Sequence, residues 1–314
     1  MKAIQILGDI SSPKISLNRS MAKPAPVNSD ILVHVHAAGI TGDETTWPEV
    51  YQTPTRIPGH DISGTISAFG PGYEGPLHIG QEVYAMIAAD RGEGQAEYAI
   101  CRAEEVAPKP TSLSNAEAAV LPIPALTAWE AIADHSNLTS DTRVLVTGAS
   151  GSVGRQFVQL VKQLRGAHVT ALASTRNHSV LRNLGADEVI DYASPGWETA
   201  IEPVDFVFDT VGGEVLSKAW ETVKPNGSII TVGDPAPAWA FGGGEAPETS
   251  RHPGVEYKHF IVSPNAERLA EVASMCDKGL LKPLDVKVFT FDEGVQAWDY
   301  AKQRGRDHKA VIEF

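Results

Sequence analysis

The sequence predicts a two-domain α/β protein, in which a β-rich, partly open barrel is combined with a doubly wound domain built on a parallel sheet. Short strand signals broken by Gly and Pro fill the first ~110 residues. Strands then alternate with helices from residue 143 onward, which is typical of a doubly wound sheet. The length of 314 residues fits two domains at a prior of ~150 residues for each.

The charge balance and the cysteine content limit what the chain can bind. Lys and Arg number 26 against 39 Asp and Glu, which gives a formal net charge of −13. Proteins that bind nucleic acid or anionic membranes normally carry an excess of basic charge, so we expect neither partner. The two cysteines, Cys101 and Cys276, are too few for a disulfide framework or a four-cysteine zinc site.

We expect neither a targeting segment nor a membrane span. The N-terminus reaches Gly8 and Asp9 before an apolar signal region could form. The most apolar stretch, residues 116–133, is interrupted by two glutamates and two prolines. Because the few cysteines also suit a reducing compartment, the sequence predicts a soluble cytoplasmic protein.

The β-rich domain is predicted from short runs with the composition of strands. One such run, Asp61–Phe69, ends at a Gly-Pro-Gly turn. Further strands are predicted at residues 31–37, 82–87 and 95–100. After them, Asn115 is placed to cap a helix over residues 116–120.

The doubly wound domain is predicted from buried strands that alternate with helices. The strand predicted at residues 143–147 has the continuous apolar centre Val144–Val146, as a strand covered on both faces requires, and residues 154–165 follow as an amphipathic helix. The pattern then predicts strand 168–173, helix 177–184, strands 187–190 and 204–208, helix 213–223, strand 227–232, a loop over 234–254, strand 255–262 and helix 264–278.

These patterns divide the chain into three segments. Residues 1–115 form the first part of the β-rich domain, and residues 116–262 form the doubly wound domain. The segment 263–314 has too little apolar surface for a domain of its own. We therefore expect it to return to the barrel.

A glycine-rich loop between the first parallel strand and its helix predicts a dinucleotide site. A bound pyrophosphate needs a tight turn, close backbone approach and free N–H groups at a helix start. Glycines recur here with the spacing Gly-x-x-Gly-x-x-Gly, and serines between them offer hydroxyl and N–H donors. The cofactor-binding residues predicted in this loop are Gly148, Ser150, Gly151, Ser152, Val153 and Gly154.

The end of the second parallel strand favours NADPH over NADH. NAD sites usually place Asp or Glu there, to accept hydrogen bonds from the ribose 2′-hydroxyl. This chain has Ser174 at that place, followed two residues later by Arg176. A serine donates to a 2′-phosphate and an arginine neutralises it, whereas a carboxylate would repel it.

These motifs, taken together, resemble those of the zinc-independent medium-chain dehydrogenases/reductases, close to the NADPH:quinone oxidoreductases and enone reductases. The resemblance covers nearly the whole chain. It implies a GroES-like catalytic domain interrupted by a Rossmann domain, with the active site in the cleft between them. The segments that carry it are residues 37–40, 58–64, 121–122, 126–128, 148–154, 184–187, 209–212 and 289–291.

The residues argue against a metal site. Zinc-dependent members of the family carry a cysteine ligand where this chain has Thr41, which is a poor zinc ligand. His60, beside Asp61, keeps the family's pattern, and the four-cysteine lobe is missing between residues 84 and 99. We therefore expect no metal and interpret His60 as a hydrogen-bonded turn residue. Without a Lewis acid, alcohol oxidation loses its main support, while reduction of an activated double bond or a quinone stays feasible.

The resemblance implies further site residues. Thr127 would touch the nicotinamide end, and Tyr192 matches a tyrosine that contacts the adenosine half. The candidate donors to the substrate oxygen are Thr41, Thr46, Tyr51 and Thr127. Trp47 and Tyr51 are suited to line an aromatic substrate pocket. Asp43 and Glu44 are placed to orient the ribose or a water. The remaining implied cofactor contacts are Thr210, Val211, Val232, Gly233, Phe260, Ile261 and Lys309.

The expected activity is hydride transfer from NADPH to a quinone or to the activated C=C of an α,β-unsaturated carbonyl. Three alternatives stay open: an alcohol dehydrogenase, an enoyl reductase dedicated to one pathway, and a non-catalytic NADPH-binding protein. The family often dimerises through the edges of its Rossmann sheets. Residues 255–260 are the candidate edge strand for a homodimer.

Overall fold

A computed structural model describes all 314 residues. The chain divides into two compact units, the first from Met1–Leu126 with Ser263–Phe314 and the second from Thr127–Val262. The strands, in chain order, are β1 (Ala3–Leu7), β2 (Lys14–Asn18), β3 (Ile31–Gly39), β4 (Asp61–Phe69), β5 (Glu82–Met86), β6 (Tyr98–Cys101), β7 (Val106–Pro108), β8 (Arg143–Val146), β9 (His168–Leu172), β10 (Glu188–Ile190), β11 (Val204–Asp209), β12 (Val223–Thr231), β13 (Glu256–His259), β14 (Val286–Thr290) and β15 (Lys309–Glu313). The helices are α1 (Asn115–Ala118), α2 (Pro122–Ala133), α3 (Ser152–Arg165), α4 (His178–Asn183), α5 (Trp197–Ala200), α6 (Gly213–Ala219), α7 (Ala266–Asp277) and α8 (Gly294–Ala301).

The first unit is built on a β-rich sheet with strand order β14-β15-β3-β4-β5-β7, and β6 also pairs with β3. Its long strands β3 and β4 are antiparallel, with His34 opposite Thr65. The C-terminal strand β15 pairs antiparallel with β3, so that Val311 lies opposite Gly39. The prediction that the last segment returns to the barrel agrees with this pairing.

The first predicted boundary, between residues 115 and 116, is wrong by eleven residues, because the chain leaves the first unit after Leu126. Helix α1 and the residues after it belong to the barrel. Ala119 and Val120 pack with Ala37 of β3 in one apolar cluster. Gly39 passes so close to Ala119 that a side chain at position 39 would overlap its carbonyl oxygen. The second boundary falls after residue 262, where the sequence placed it.

The second unit confirms the doubly wound prediction. Six strands form a parallel sheet in the order β10-β9-β8-β11-β12-β13. Because the strands are apolar, helices can pack on the sheet. Helix α3 does so through the buried Phe157, whose ring stacks on that of Phe208 of β11 with 4.2 Å between the ring centroids. Helix α3 ends at Gly166, which adopts the left-handed conformation (φ 68°) that an L side chain disfavours.

Several local predictions differ from the structure. Ser114, not Asn115, caps α1, because its hydroxyl accepts the N–H of Glu117 and the Glu117 carboxylate accepts the N–H of Ser114. The predicted strand 95–100 begins only at Tyr98. Its first residue, Gln95, instead accepts a hydrogen bond from the indole of Trp298 at 2.9 Å and donates to the Gly39 carbonyl.

One stretch, Asn115–Ala133, is long and apolar enough by composition to cross a membrane. It consists of the two helices α1 and α2, and 78% of its most apolar window is buried inside the protein. Burial of this kind is typical of core helices in proteins that do not span a membrane.

Candidate active site

The glycine-rich loop lies where the strand order of the second unit reverses. Strand β8 has β9 on one side and β11 on the other, and the chain continues from β9 outward in one direction and from β11 in the other. Ligands of doubly wound folds bind at the carboxyl ends of the strands at such a point. Gly148 follows β8 and adopts φ 59°, and a Cβ there would overlap the Thr210 hydroxyl. The structure thus brings together the predicted residues Gly148 and Thr210.

The other two glycines hold the loop close to the start of α3. A Cβ on Gly154 would lie 2.5 Å from the Gly148 carbonyl oxygen, so only glycine lets the helix approach the turn. The Gly151 N–H donates to the same carbonyl at 2.8 Å, and Gly151 caps the helix without a side-chain hydrogen bond. A helix leaves its first N–H groups without intrahelical acceptors, and its dipole favours an anion there. Ser152 and Val153 begin that first turn, so the loop suits a pyrophosphate.

A buried carboxylate that the sequence analysis did not single out as a site residue organises this edge of the sheet. Asp209, the last residue of β11, is fully buried. It accepts hydrogen bonds from the hydroxyls of Thr147 at 2.5 Å and Thr231 at 2.6 Å, and from the Gly212 N–H at 2.9 Å. These bonds fix the ends of β8, β11 and β12 against one another. A carboxylate directly after the three apolar strand residues 206–208 was the available signal, because buried charge requires partners.

The predicted adenosine-side residues follow two adjacent strands. Ser174 precedes a short 3₁₀ turn after β9, and its hydroxyl accepts from the Asn177 amide at 3.0 Å. Arg176 is exposed on the same turn. Tyr192 follows β10, which pairs with β9, and is 55% exposed. Next to it, Asp191 accepts hydrogen bonds from the Thr175 hydroxyl and the Ala193 N–H, which lower the pKa of its carboxyl group.

The remaining predicted contacts of the second unit follow β11, β12 and β13. Val232 donates its N–H to the Asp209 carbonyl at 2.9 Å, and Gly233 packs against the backbone of Gly212. Phe260 is buried against the His135 ring at 4.6 Å, while Ile261 is 52% exposed. Val211 is partly exposed beside Thr210. Parallel strands end at one edge of a sheet, so these residues share that edge with the glycine-rich loop.

Thr127 and Lys309 lie in other elements. Thr127 is on α2, at the first position of the second unit, and is only 4% exposed. Lys309 begins β15 of the first unit and is 8% exposed. Burial lowers the pKa of Lys309, while the charge of Asp61 opposes that shift. Burial in turn raises the pKa of Asp61 to about 6, against the charge of Lys309.

The proton-donor candidates of the first unit lie on one short segment. Two 3₁₀ helices, Glu44–Thr46 and Pro48–Gln52, follow Thr41. The Tyr51 hydroxyl donates to the Thr45 carbonyl at 2.7 Å, and burial raises the pKa of this phenol. Gly42 packs directly on the Ala301 carbonyl, which leaves no room for a side chain there.

The residues around His60 do not form a zinc site. The His60 Nδ1 lies 3.0 Å from the Ile87 carbonyl oxygen, and Nε2 lies 3.2 Å from the Glu44 carboxylate, so the ring already faces protein partners on both sides. No group of three His, Cys, Asp or Glu side chains is arranged to hold a metal ion. Burial raises the pKa of the Cys276 thiol to about 12 and that of Cys101 further, so neither offers a ready thiolate.

The comparisons with known proteins agree with this geometry. Residues 27–111 match the alcohol dehydrogenase GroES-like domain, and residues 184–312 match the zinc-binding dehydrogenase family. The chain is 30% identical over 324 residues to NAD(P)H oxidoreductase RTN4IP1, mitochondrial, of Danio rerio, with 90% of this chain and 83% of that protein covered. It is 35% identical over 266 residues to 2-methylene-furan-3-one reductase of Solanum lycopersicum, with 82% of this chain and 63% of that protein covered.

Among solved structures, the quinone oxidoreductase from Coxiella burnetii superposes with a TM-score of 0.86 at 26% identity, covering 100% of this chain and 99% of that one. The fold, the loop and these relatives define an NAD(P)H-dependent oxidoreductase of the quinone-oxidoreductase and enoyl-reductase type. The chain belongs to the medium-chain dehydrogenase/reductase family, with a GroES-like domain and a Rossmann domain.

Proposed function

We propose that this protein uses NADPH to reduce a quinone or the activated C=C of an α,β-unsaturated carbonyl compound. The observation that carries the cofactor preference is the turn after β9, where Ser174 replaces the acidic residue of NAD sites and Arg176 is exposed two residues later. A guanidinium and a hydroxyl suit a 2′-phosphate. The reductase relatives support the acceptor class.

The residues of the second unit would bind and orient the cofactor. The loop from Gly148 to Gly154 would hold the pyrophosphate, and the turn of Ser174 and Arg176 the 2′-phosphate. When bound, NADPH supplies the hydride. Negative charge then grows on the carbonyl oxygen of the acceptor, and a hydrogen-bond donor aimed at that oxygen would lower the barrier.

Thr41, Tyr51 and Thr127 are the donors that we propose for this role. Because burial raises the pKa of Tyr51, its phenol stays protonated at neutral pH. To donate a hydrogen bond to the substrate oxygen, the Tyr51 hydroxyl must first give up its hydrogen bond to the Thr45 carbonyl. The final proton on carbon can come from solvent.

The experiment is a spectrophotometric assay of purified protein with NADPH or NADH and a panel of quinones and enones. We expect oxidation of NADPH with at least one acceptor and a lower KM for NADPH than for NADH. Failure to oxidise NADPH with every acceptor would contradict the proposal. Tight NADPH binding without turnover would instead favour a non-catalytic binding protein, and metal-dependent oxidation of alcohols an alcohol dehydrogenase.

We propose further that two copies of the chain form a homodimer through β13. This strand is the last of the six-stranded sheet and pairs on one side only, with β12. An edge strand offers unpaired N–H and C=O groups to another strand. Sedimentation velocity at several concentrations tests this proposal, and a monomer throughout the range would contradict it.

A further inference from the structure

Three buried polar atoms near the start of β4 lack a hydrogen-bond partner: Glu44 Oε2, His60 Nε2 and Asp61 Oδ2. His60 Nε2 nevertheless lies 3.2 Å from Glu44 Oε1, and both side chains are almost completely buried. The contact is therefore close enough for an ion pair but poorly directed for a hydrogen bond. Buried charges are costly unless they are paired, so this contact requires an explanation.

The surroundings of His60 favour its charged form. Nδ1 faces the Ile87 carbonyl, which only accepts, so Nδ1 carries a proton. A neutral ring would then direct the lone pair of Nε2 at the Glu44 carboxylate. Burial alone would lower the pKa of His60, but the close Glu44 carboxylate, the Ile87 carbonyl and the charge of Asp61 raise it above its ordinary value.

Two uncharged residues also pack against the imidazole ring. Gly92 packs against the ring, since a Cβ there would lie 3.2 Å from Cε1. The Trp47 ring lies 5.4 Å away between centroids. Lys309, on β15, acts on the neighbouring Asp61, and burial and Asp61 are the main influences on the pKa of this lysine.

The pair ties the first 3₁₀ helix to the residues just before β4. Glu44 begins the first 3₁₀ helix, and its carboxylate also accepts the Gly59 N–H at 2.6 Å. Downstream of Glu44 lie Trp47, which contacts the His60 ring, and Tyr51, which donates to the Thr45 carbonyl. A shift of Glu44 would therefore move Trp47 and Tyr51 with it.

We infer that Glu44 and His60 are positioning residues, whose buried ion pair holds the segment Glu44–Gln52 in the conformation that binds the electron acceptor. The inference rests on the proposed function, in which Thr41 and Tyr51 contact the acceptor, and on the expectation that Trp47 forms an aromatic pocket with Tyr51. Neither residue of the pair exchanges a proton with the substrate. The pair acts through Trp47 and Tyr51, so its loss should weaken acceptor binding and leave cofactor binding unchanged.

The test compares Glu44→Ala and Glu44→Gln in steady-state assays with NADPH and 1,4-naphthoquinone between pH 6 and 9. Glu44→Ala removes the pair, and we expect the KM for the quinone to rise about tenfold while the KM for NADPH stays within about twofold. In Glu44→Gln the amide oxygen can take the place of Oε1, which faces both the Gly59 N–H and Nε2 of His60, but the negative charge that favours a protonated imidazole is lost. This variant should keep a near-normal KM for the quinone at pH 6, where His60 can still be protonated.

The pH profile separates positioning from general support of the fold. In the wild type, the KM for the quinone should rise with pH as His60 loses its proton, and in Glu44→Gln the same rise should begin at a lower pH, because the carboxylate charge that favours the protonated ring is gone. If the pH profile of Glu44→Gln matches that of the wild type, or if both KM values rise equally in Glu44→Ala, this inference is overturned but the proposed function is not. A wild type that oxidises no NADPH with any acceptor overturns the proposed function as well.

A fluorescence measurement follows the pair without turnover. A protonated imidazole quenches a neighbouring indole, so the emission of Trp47, taken as the difference between wild type and Trp47→Phe, should rise as His60 deprotonates. The step should be absent in His60→Gln. A Trp47 emission that is the same in the wild type and in His60→Gln at every pH would contradict the ion pair.

Discussion

The hydroxyl of Thr175 donates a hydrogen bond to the carboxylate of Asp191, which ties the turn after β9 to the end of β10. The same carboxylate accepts the Ala193 N–H at 2.9 Å. These hydrogen bonds lower the pKa of Asp191, which therefore stays ionised at neutral pH. The turn that carries Ser174 and Arg176 is thus fixed beside a negative charge. A 2′-phosphate bound there would depend on Arg176 for its counter-charge.

Replacement of Arg176 with alanine should selectively weaken NADPH binding. We expect a loss of about 1–3 kcal/mol for NADPH, with NADH little changed, because only NADPH carries the 2′-phosphate. Fluorescence titration of both cofactors measures this difference. Arg182→Ala is the matched control, since it removes an exposed arginine from α4 without touching the turn. An equal loss for both cofactors would refute the phosphate role.

Replacement of Gly148 with alanine should abolish binding of both cofactors. The substitution combines a left-handed φ of 59° with an overlap on the Thr210 hydroxyl. Strained backbone of this kind costs about 1–3 kcal/mol before the overlap is counted. Gly279→Ala is the control, because Gly279 has φ 70° and no atom within 4 Å of its added Cβ. Urea unfolding should show the larger loss for Gly148→Ala, and equal losses would contradict the close approach.

Asp209→Asn should destabilise the second unit. The amide would direct a donor at Thr147, Thr231 or a backbone N–H, all of which donate to the native carboxylate. Leaving such a buried group unsatisfied costs about 1–3 kcal/mol. Asp205→Asn on the same strand is the control, since Asp205 is partly exposed and pairs with Lys224, and such pairs contribute about 0–1 kcal/mol. Chemical unfolding that gives equal losses would show that the Asp209 network is not stabilising.

The Glu44–His60 pair predicts a stability that falls as pH rises. Because the folded-state pKa of His60 lies above its ordinary value of 6.5, the stabilisation is fully present below pH 6.5. It is lost as the pH rises through the folded-state pKa. The difference in unfolding free energy between wild type and His60→Gln should therefore shrink between pH 6 and 9. A difference that grows over this range would mean that His60 is neutral in the folded protein.

The sequence predicted elements whose signals are local. Strand Asp61–Phe69 was found at its observed bounds, since its run ends at a Gly-Pro-Gly turn, and β8 was found because its centre is continuously apolar. The loop from Gly148 to Gly154 could be recognised from the Gly-x-x-Gly-x-x-Gly spacing alone. The N-cap at Ser114 was also within reach, because Ser114 and Glu117 form a capping box in the sequence.

What the sequence could not predict depends on contacts between distant segments. Glu44, His60 and Lys309 are ordinary polar residues until the fold buries them near one another. The boundary after Leu126 was missed because small alanines after Asn115 look like the start of a new domain. Only their packing on Ala37 assigns them to the barrel.

The pairing of β15 with β3 has a consequence for biosynthesis. Val311 can pair with Gly39 only after synthesis has passed residue 311, whereas every strand of the parallel sheet is complete by His259. Domains generally fold as units during translation. The second unit can therefore fold before β15 is available to the barrel. Truncation before β15 should leave the barrel, rather than the parallel sheet, without one of its strands.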